Sequence, residues 1–251
     1  MKSILNKLFS KKNIISNQNN LLVQLSKKSS IKKLFQIINN YSEESEIRYV
    51  GGCVRKSINN EKLDDIDLAI NLSPKDLMDI LNKHKINFFK TGIDHGTITA
   101  LINDQKFEIT SLRKDIKTDG RHAEVSFTKD WIEDSLRRDF TINAIYSDFY
   151  GNLFDPHEGI KDLADGKIKF IGDAEDRIKE DYLRILRYVR FFLNYSKTKH
   201  SIDIKKNIRK NINGIFNLSS ERLIDELKKI IKSKKFINIF KDDFCLEVVE
   251  L

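Results

Sequence analysis

The sequence predicts an α+β domain followed by an all-helical one, and two observations support this prediction. Between residues 47 and 112, short runs of alternating apolar residues take turns with runs of helical spacing. From about Asp173 onward the strand-type runs stop, and apolar residues recur every three or four positions. We therefore predict a basic N-terminal segment with a helix at 1–43, a mixed domain at 44–158 and a helical domain at 159–251.

The individual elements follow from periodicity, since the chain has only two prolines and no linker composition. Residues 21–38 predict one amphipathic helix, and alternating runs predict strands at 47–50 and 66–70. A helix begins at Val54, and Ser73 with Pro74 forms the N-cap and first turn of a helix over 75–84. Strands at 96–102 and 106–112 flank Asn103 and Asp104, which predicts a hairpin.

The net charge of +8 is concentrated at the N-terminus, because residues 1–42 hold eight lysines and no acid. Such an arm could contact a phosphate backbone, where each neutralised phosphate adds salt-sensitive affinity. Two alternatives are a solvated lysine-rich leader and a targeting peptide for an organelle. The rest of the chain balances its charges.

No apolar run approaches the roughly 18 residues of a membrane span, so a transmembrane protein is not expected. Cys53 and Cys245 are far apart, and the five histidines show no ligand spacing. We therefore predict free thiols in a reducing cytosol, with no structural zinc site and no disulfide. Organelle import stays an alternative. Nothing in the sequence defines an oligomeric state.

Two carboxylates give the first sign of chemistry. Asp65 and Asp67 are separated by one residue in a β-type run, so their side chains are predicted to share a face of the strand. Such a pair can hold hard divalent cations that bridge triphosphate oxygens and activate a hydroxyl. The structural alternative is the polar face of a half-buried strand. Glu108, on the strand at 106–112, could serve as a third ligand or a base.

Residues suited to phosphate surround this pair in the sequence. Gly51 and Gly52 follow a strand and precede a helix, which permits close backbone approach to a phosphate. Arg55, one turn into that helix, can reach the same phosphate. In the run RRDFTINA, at helical spacings, Arg138 can hold a triphosphate and Asn143 can hydrogen-bond sugar or backbone. The alternative, an Arg–Asp pair that ties two elements together, fits Asp139 better than Arg138.

A second polar group lies in the helical part of the chain. The spacing predicts one charged stripe on a helix, whose opposite side carries apolar residues. Its members are Glu180, Asp181, Arg184, Arg187 and Arg190. The stripe would suit a triphosphate and the edge of a base, or it would be the solvated face of the helix. Phe191, Phe192 and Tyr195 are predicted to be core residues rather than a platform for bases.

Together these motifs resemble the class II tRNA nucleotidyltransferases, or CCA-adding enzymes, with bacterial poly(A) polymerases as relatives. The motifs RYVGGCVRKSINNEKLDDIDLAI, GIDHGTITALI, SLRRDFTINAIY, EDYLRILRYVRF and SSERLIDEL occur in the family's order. The resemblance covers roughly residues 21–232. It implies a polymerase-β-type nucleotidyltransferase head followed by an all-helical neck.

The resemblance also implies a function: addition of C, C and A from CTP and ATP to the 3′ end of tRNA. Two Mg²⁺ ions would bind Asp65 and Asp67, with Glu108 as a further catalytic residue. Asp181 and Arg184 would read the edge of the incoming base, and Arg187 and Arg190 would lie closer to phosphate.

Alternatives within the family are addition of CC only, addition of A only, or poly(A) synthesis, and a further one is a non-catalytic RNA-binding relative. The segment GIDHGTITALI resembles the CCA-adding branch, and the intact aspartates favour an enzyme. Family members usually continue with helical body and tail domains. The chain stops soon after the neck, so it is either a minimal enzyme or a fragment.

Overall fold

The computed structural model describes residues 14–16, 21–119 and 122–250. The chain divides into two compact units. The first comprises residues 1–116, 125–138 and 142–160, and the second comprises 117–124, 139–141 and 161–251. No helix in the described parts of the chain is long and apolar enough to cross a bilayer. Residues 1–13 and 17–20 of the predicted N-terminal arm lie outside the described residues.

An eight-stranded sheet forms the centre of the first unit. Its strands lie in the order β1-β10-β9-β2-β3-β6-β5-β4, and all neighbours are antiparallel except β3 and β6, which are parallel. The strands are β1 (Ile14–Ser16), β2 (Ile47–Val50), β3 (Asp67–Ile70), β4 (Asn87–Gly92), β5 (Thr97–Ile102), β6 (Gln105–Ser111), β9 (Tyr146–Ser147) and β10 (Asn152–Phe154). A separate two-stranded sheet pairs β7 (Arg113–Asp119) with β8 (His122–Phe127).

Helices cover the apolar residues of the large sheet. They are α1 (Leu21–Ser26), α2 (Ser29–Asn39), α3 (Gly52–Ile58), α4 (Pro74–Lys83) and α5 (Trp131–Leu136). The main core joins apolar residues of α1, α2 and α4, such as Leu34, to Tyr49 and Leu68 of the sheet. A smaller core packs Trp131 against Ala69. Neighbouring residues of β3 thus pack into different cores, Leu68 into the main one and Ala69 into the smaller one. This alternation fixes the face of the sheet on which each side chain of β3 lies.

The second unit is helical. Helix α6 (Gly159–Asp165) leads into α7 (Ala174–Glu180), α8 (Leu183–Tyr195), α9 (Ile202–Asn211), α10 (Ser220–Ile231) and α11 (Asp243–Val249). Helix α8 is central, since it contacts α7, α10 and α11. Its apolar side, with Ile185, Leu186 and Val189, is fully buried, as the sequence predicts.

Two predictions that depend on contacts between residues close in sequence are confirmed. Ser73 and Asp76 form a capping box at the start of α4. Asn103 and Asp104 both have positive φ in the two-residue turn between β5 and β6, as a tight hairpin with the right twist requires. The single helix predicted over 21–38 is wrong, because Lys28 is extended (φ −67°, ψ 136°) and separates α1 from α2.

Candidate active site

Carboxylates meet at the point where β3 and β6 run side by side. Asp67 opens β3 and stands opposite Glu108 in the parallel register. Burial, followed by the negative charges of Glu108 and Asp65, raises the pKa of Asp67 above its ordinary value. The guanidinium groups of Arg138 and Arg55 oppose this rise. The acids are thus close enough to repel one another.

The prediction that both aspartates share a strand is wrong for Asp65. Asp65 lies two residues before β3, in an irregular and exposed segment. The reason is that β2 ends at Val50 and the chain turns away at Gly51, so residues before Asp67 have no strand to pair with on that side. The charge of Asp65 nevertheless acts on Asp67.

The donor set fits a hard divalent cation. Carboxylate oxygens are the ligands that Mg²⁺ prefers, and Mg²⁺ usually takes one or two protein carboxylates and fills its other positions with water and phosphate. Asp67 is only half-buried, while Asp65 and Glu108 are exposed, so solvent and a phosphate can reach them. A cation at this place would relieve the repulsion that raises the pKa of Asp67.

The glycine turn borders these acids. Gly51 is the N-cap of α3 with φ of 68°, a left-handed conformation that favours glycine. A Cβ at Gly51 would lie 3.7 Å from the carbonyl oxygen of Asn143 and 3.8 Å from Nη1 of Arg138. A Cβ at Gly52 would lie 3.9 Å from Oδ2 of Asp67. The turn therefore brings the main chain, a carboxylate and a guanidinium to one place.

Arg55 and Asn143 contact each other directly. Both side chains are buried, and Nη1 of Arg55 donates a hydrogen bond to Oδ1 of Asn143. The amide oxygen of Asn143 thus orients an arginine, whereas the sequence predicted a contact with sugar or backbone. The helical spacing predicted for this run is also wrong: α5 ends at Leu136, and residues 141–143 form only a single 3₁₀ turn.

Arg138 is held by a buried network. Its Nε and Nη2 donate to Oδ2 of Asp134 at 3.2 and 3.0 Å, and its Nε also lies 3.0 Å from the hydroxyl oxygen of Tyr146. That hydroxyl donates to the same carboxylate at 2.7 Å, and Arg137 binds its other oxygen. Asp134 is fully buried. These bonds fix the guanidinium whose Nη1 faces the glycine turn.

The second unit carries the other predicted group. Asp181 is not on a helix with Arg184, so that prediction is wrong: α7 ends at Glu180, and Asp181 is extended (φ −156°, ψ 104°) before α8 begins. The extended backbone of Asp181 separates the two helices, and its Oδ1 accepts the N–H of Leu183, the first residue of α8, at 3.1 Å. Its Oδ2 accepts Nη2 of Arg222 at 2.7 Å.

The arginines of α8 are paired, and the stripe is not simply a solvated face. Nη1 of Arg184 donates to Oε2 of Glu180 and to the carbonyl of Arg177, both at 2.7 Å, and Arg184 is 8% exposed. Nε of Arg187 donates to Oδ2 of Asp139. This is the kind of Arg–Asp pair, tying two elements together, that the sequence predicted as the alternative for Asp139.

Arg190 pairs with a buried acid of α10. Its Nε donates to Oε1 of Glu226, which is 1% exposed, and its guanidinium lies over the ring of Phe191 at 4.2 Å. Phe191 is itself buried, so its predicted core role is confirmed.

Several residues of these networks were missed by the sequence reasoning. Asp134 precedes Arg137 and Arg138 by three and four positions, which is the spacing of helical ion pairs and could have revealed it. Arg222 and Glu226 lie four apart on α10 but about 40 positions from their partners, so no local pattern connects them with α8.

Comparisons with known proteins agree with this geometry. Residues 47–169 match the family described as "Poly A polymerase head domain", and residues 201–242 match "Probable RNA and SrmB- binding site of polymerase A". The chain is 44% identical over 192 residues to the mitochondrial CCA tRNA nucleotidyltransferase 1 of Homo sapiens, covering 75% of this chain and 44% of that protein. It is 37% identical over 207 residues to the CCA-adding enzyme of Staphylococcus haemolyticus, and the match covers 79% of this chain and 50% of that protein.

A solved structure gives the same result for the fold. The crystal structure of the Bacillus stearothermophilus CCA-adding enzyme in complex with CTP superposes with a TM-score of 0.71 at 29% identity, covering 84% of this chain and 50% of that one. The chain thus spans about half the length of the relatives it matches.

The sheet with its carboxylates and the helical second unit define a nucleotidyltransferase head followed by a helical neck. The chain belongs to the family of the class II tRNA nucleotidyltransferases, or CCA-adding enzymes, and the related poly(A) polymerases.

Proposed function

We propose that this chain adds C, C and A from CTP and ATP to the 3′ end of tRNA. The observation that supports this most is the group formed by Asp67, Glu108 and the glycine turn, with Arg138 beside them. The 3′-hydroxyl of the RNA attacks the α-phosphorus of the nucleotide, a P–O bond forms, and pyrophosphate leaves. Relatives named for CCA addition support the choice of tRNA as acceptor.

In this proposal each residue of the first unit has a separate task. Asp65 and Asp67 hold two Mg²⁺ ions, and Glu108 completes the acidic group as a further ligand or base. Bound Mg²⁺ supplies charge neutralisation for the triphosphate and a lower pKa for the attacking hydroxyl. Gly51 and Gly52 let the triphosphate approach the main chain. Arg55 and Arg138, beside the same glycine turn, hold the triphosphate, and Asn143 hydrogen-bonds the sugar or the backbone.

Nucleotide choice falls to the second unit in this proposal. Asp181 accepts the exocyclic amine of C or A, and Arg184 donates to a ring acceptor of the same base. One oxygen of Asp181 already binds Arg222 and the other binds the N–H of Leu183, so a base amine must share or replace a partner. Arg187 and Arg190 lie nearer to phosphate.

Domain limits and location are also proposals. We assign the catalytic head to residues 44–158 and the neck to 159–251, with a basic segment before them. Both cysteines are free and buried, which favours a reducing cytosol. One relative is named as mitochondrial, so import into an organelle is the alternative.

Single-nucleotide incorporation tests the function. The full chain is incubated with Mg²⁺, tRNA that ends at its discriminator base, and one labelled nucleotide at a time. We expect two additions with CTP, none with ATP alone, and one further addition when ATP follows CTP. Growth with ATP alone would indicate A addition or poly(A) synthesis, an arrest after CC would indicate a CC-adding enzyme, and no incorporation would contradict the proposal.

Asp181→Ala is predicted to relax nucleotide selection more than it slows chemistry. Loss of one base-reading hydrogen bond corresponds to about 1.4 kcal/mol, so incorporation of UTP or GTP relative to CTP should rise about tenfold. Competition assays with labelled nucleotides measure the ratio.

Asp176→Ala, which removes an exposed acid from α7, is the matched control and should leave the ratio unchanged. Wild-type ratios in Asp181→Ala would show that this carboxylate does not read the base.

A further inference from the structure

Three metal-binding side chains converge in the second unit, in a place that the proposed function does not use. Nε2 of His200 lies 3.0 Å from both carboxylate oxygens of Asp242 and 3.8 Å from Sγ of Cys245. One donor atom of each residue lies within 4.8 Å of the others. We propose that His200, Asp242 and Cys245 form a binding site for a transition-metal ion of the zinc class.

The spacing of the donor atoms fits tetrahedral zinc. Bonds of about 2.3 Å to sulfur and about 2.0 Å to nitrogen or oxygen place neighbouring ligand atoms about 3.3 to 3.6 Å apart. The observed 3.0 and 3.8 Å differ from these values by a few tenths of an ångström. The carboxylate oxygen and the sulfur lie within 4.8 Å of each other, so rotation of the side chains would bring the three donor atoms onto one ion.

The ring of His200 is held in the orientation that a ligand needs. Its Nδ1 lies 2.9 Å from the hydroxyl oxygen of Tyr188, the ring stacks on Phe192, and Phe244 meets it edge-on. The second ring N–H of a metal-binding histidine is commonly held by an oxygen of a carboxylate, a backbone carbonyl or water, and the hydroxyl of Tyr188 would take that place here. Nε2 is thereby directed at Asp242 and Cys245.

The other two ligands come from a single helical turn. Asp242 is the N-cap of α11 and accepts the backbone N–H of Cys245 at 2.9 Å. This bond fixes the relative position of carboxylate and thiol before any ion binds. The side chain of Asp242 is 27% exposed, which gives an ion a route from solvent and leaves room for water as the fourth ligand.

The identity of the ligands selects the metal. One nitrogen, one sulfur and one oxygen donor suit Zn²⁺ and its neighbours, while Mg²⁺ prefers oxygen alone. A bound ion would take the imidazole of His200 in its neutral form and would displace the thiol proton of Cys245 to solvent.

Metal titration of the full chain tests this site. The protein is stripped with a chelator, kept reduced, and titrated with Zn²⁺ against a chromogenic competitor, and then with Co²⁺ to record its absorption spectrum. We expect one zinc at the site and a thiolate-to-cobalt charge-transfer band in the near ultraviolet. The carboxylates of the first unit contain no sulfur and cannot produce that band.

Variants assign the signal to these residues. Cys245→Ser should abolish the cobalt band and weaken zinc binding ~100-fold or more. Cys53→Ser, the matched change at the other buried cysteine, should keep both signals. Asp242→Asn keeps an N-cap acceptor and so preserves the helix, yet should also weaken binding. Absence of the band in the wild-type chain, or its persistence in Cys245→Ser, would overturn the proposal and leave the proposed nucleotidyltransferase function unaffected.

Discussion

Asp67→Asn is expected to abolish nucleotide incorporation while the chain stays folded. The substitution keeps the shape of the side chain but removes the charge that a divalent ion needs, next to Glu108 in the same register. Loss of a metal ligand removes several kcal/mol of transition-state stabilisation, which corresponds to a fall in kcat of about 1000-fold or more. Single-turnover incorporation of labelled CTP measures it.

The matched control is Asp64→Asn, three positions earlier in the chain. Asp64 is exposed and forms a surface ion pair with Lys56 at 2.8 Å, a contact worth less than about 1 kcal/mol. Its activity should stay close to that of the wild type. Near-normal turnover in Asp67→Asn would refute the role assigned to this carboxylate, provided that both variants show the same thermal unfolding.

Of the substitutions considered, Asp134→Asn is expected to lower the free energy of unfolding the most. The buried carboxylate neutralises both Arg137 and Arg138 and accepts the hydroxyl of Tyr146. Removing one partner of a buried charge network leaves uncompensated charge and costs about 3 to 5 kcal/mol. Urea titration measures the free energy of unfolding.

Glu133→Gln changes a neighbouring acid on the same helix that is 41% exposed, and should cost less than about 1 kcal/mol. Equal stability of Asp134→Asn and the wild type would contradict the role of the network.

The same network predicts a pH dependence. Burial by itself raises the pKa of Asp134, but the charges of Arg138 and Arg137 and the bond from Tyr146 outweigh it, so the pKa lies well below its ordinary value. A carboxylate whose pKa is lower in the folded state than in the unfolded state stabilises the fold at pH values above its unfolded-state pKa of about 3.9. This stabilisation is lost as the pH falls through the folded-state pKa. The stability difference between wild type and Asp134→Asn should therefore shrink below about pH 4. A difference that stays constant down to pH 2 would contradict this assignment.

Patterns within a few residues predicted much of the first unit. The N-cap at Ser73, the hairpin turn at Asn103 and the strand that carries Asp67 depend on local geometry, and the structure has all three. Two predictions were wrong: that Asp65 lies on the strand of Asp67, and that the N-terminal segment forms one helix. In both cases the end of the element depends on where a neighbouring strand ends or where the backbone becomes extended. The periodicity of apolar residues does not contain that information.

Contacts between residues far apart in the sequence could not be predicted from sequence patterns. Asp181 meets Arg222, and His200 meets Cys245, only because helices fold back on each other. The sequence suggested a continuous helix through Asp181 because the charges recur every three residues, but the backbone of Asp181 is extended and its carboxylate binds the N–H of Leu183. Similarly, two cysteines and five histidines without regular spacing predicted no metal site, although His200 lies beside Asp242 and Cys245, which are 42 and 45 positions further along the chain.

Sequencing the 3′ ends of the RNA product distinguishes CCA addition from the other reactions of the family. The 251-residue chain is incubated with Mg²⁺, all four nucleotides and tRNA that lacks its last three residues. We expect the added sequence to be CCA and growth to stop there, with no addition by the Asp67→Asn variant. A homopolymeric A tail, a random extension or unchanged tRNA ends with the wild-type chain would contradict it.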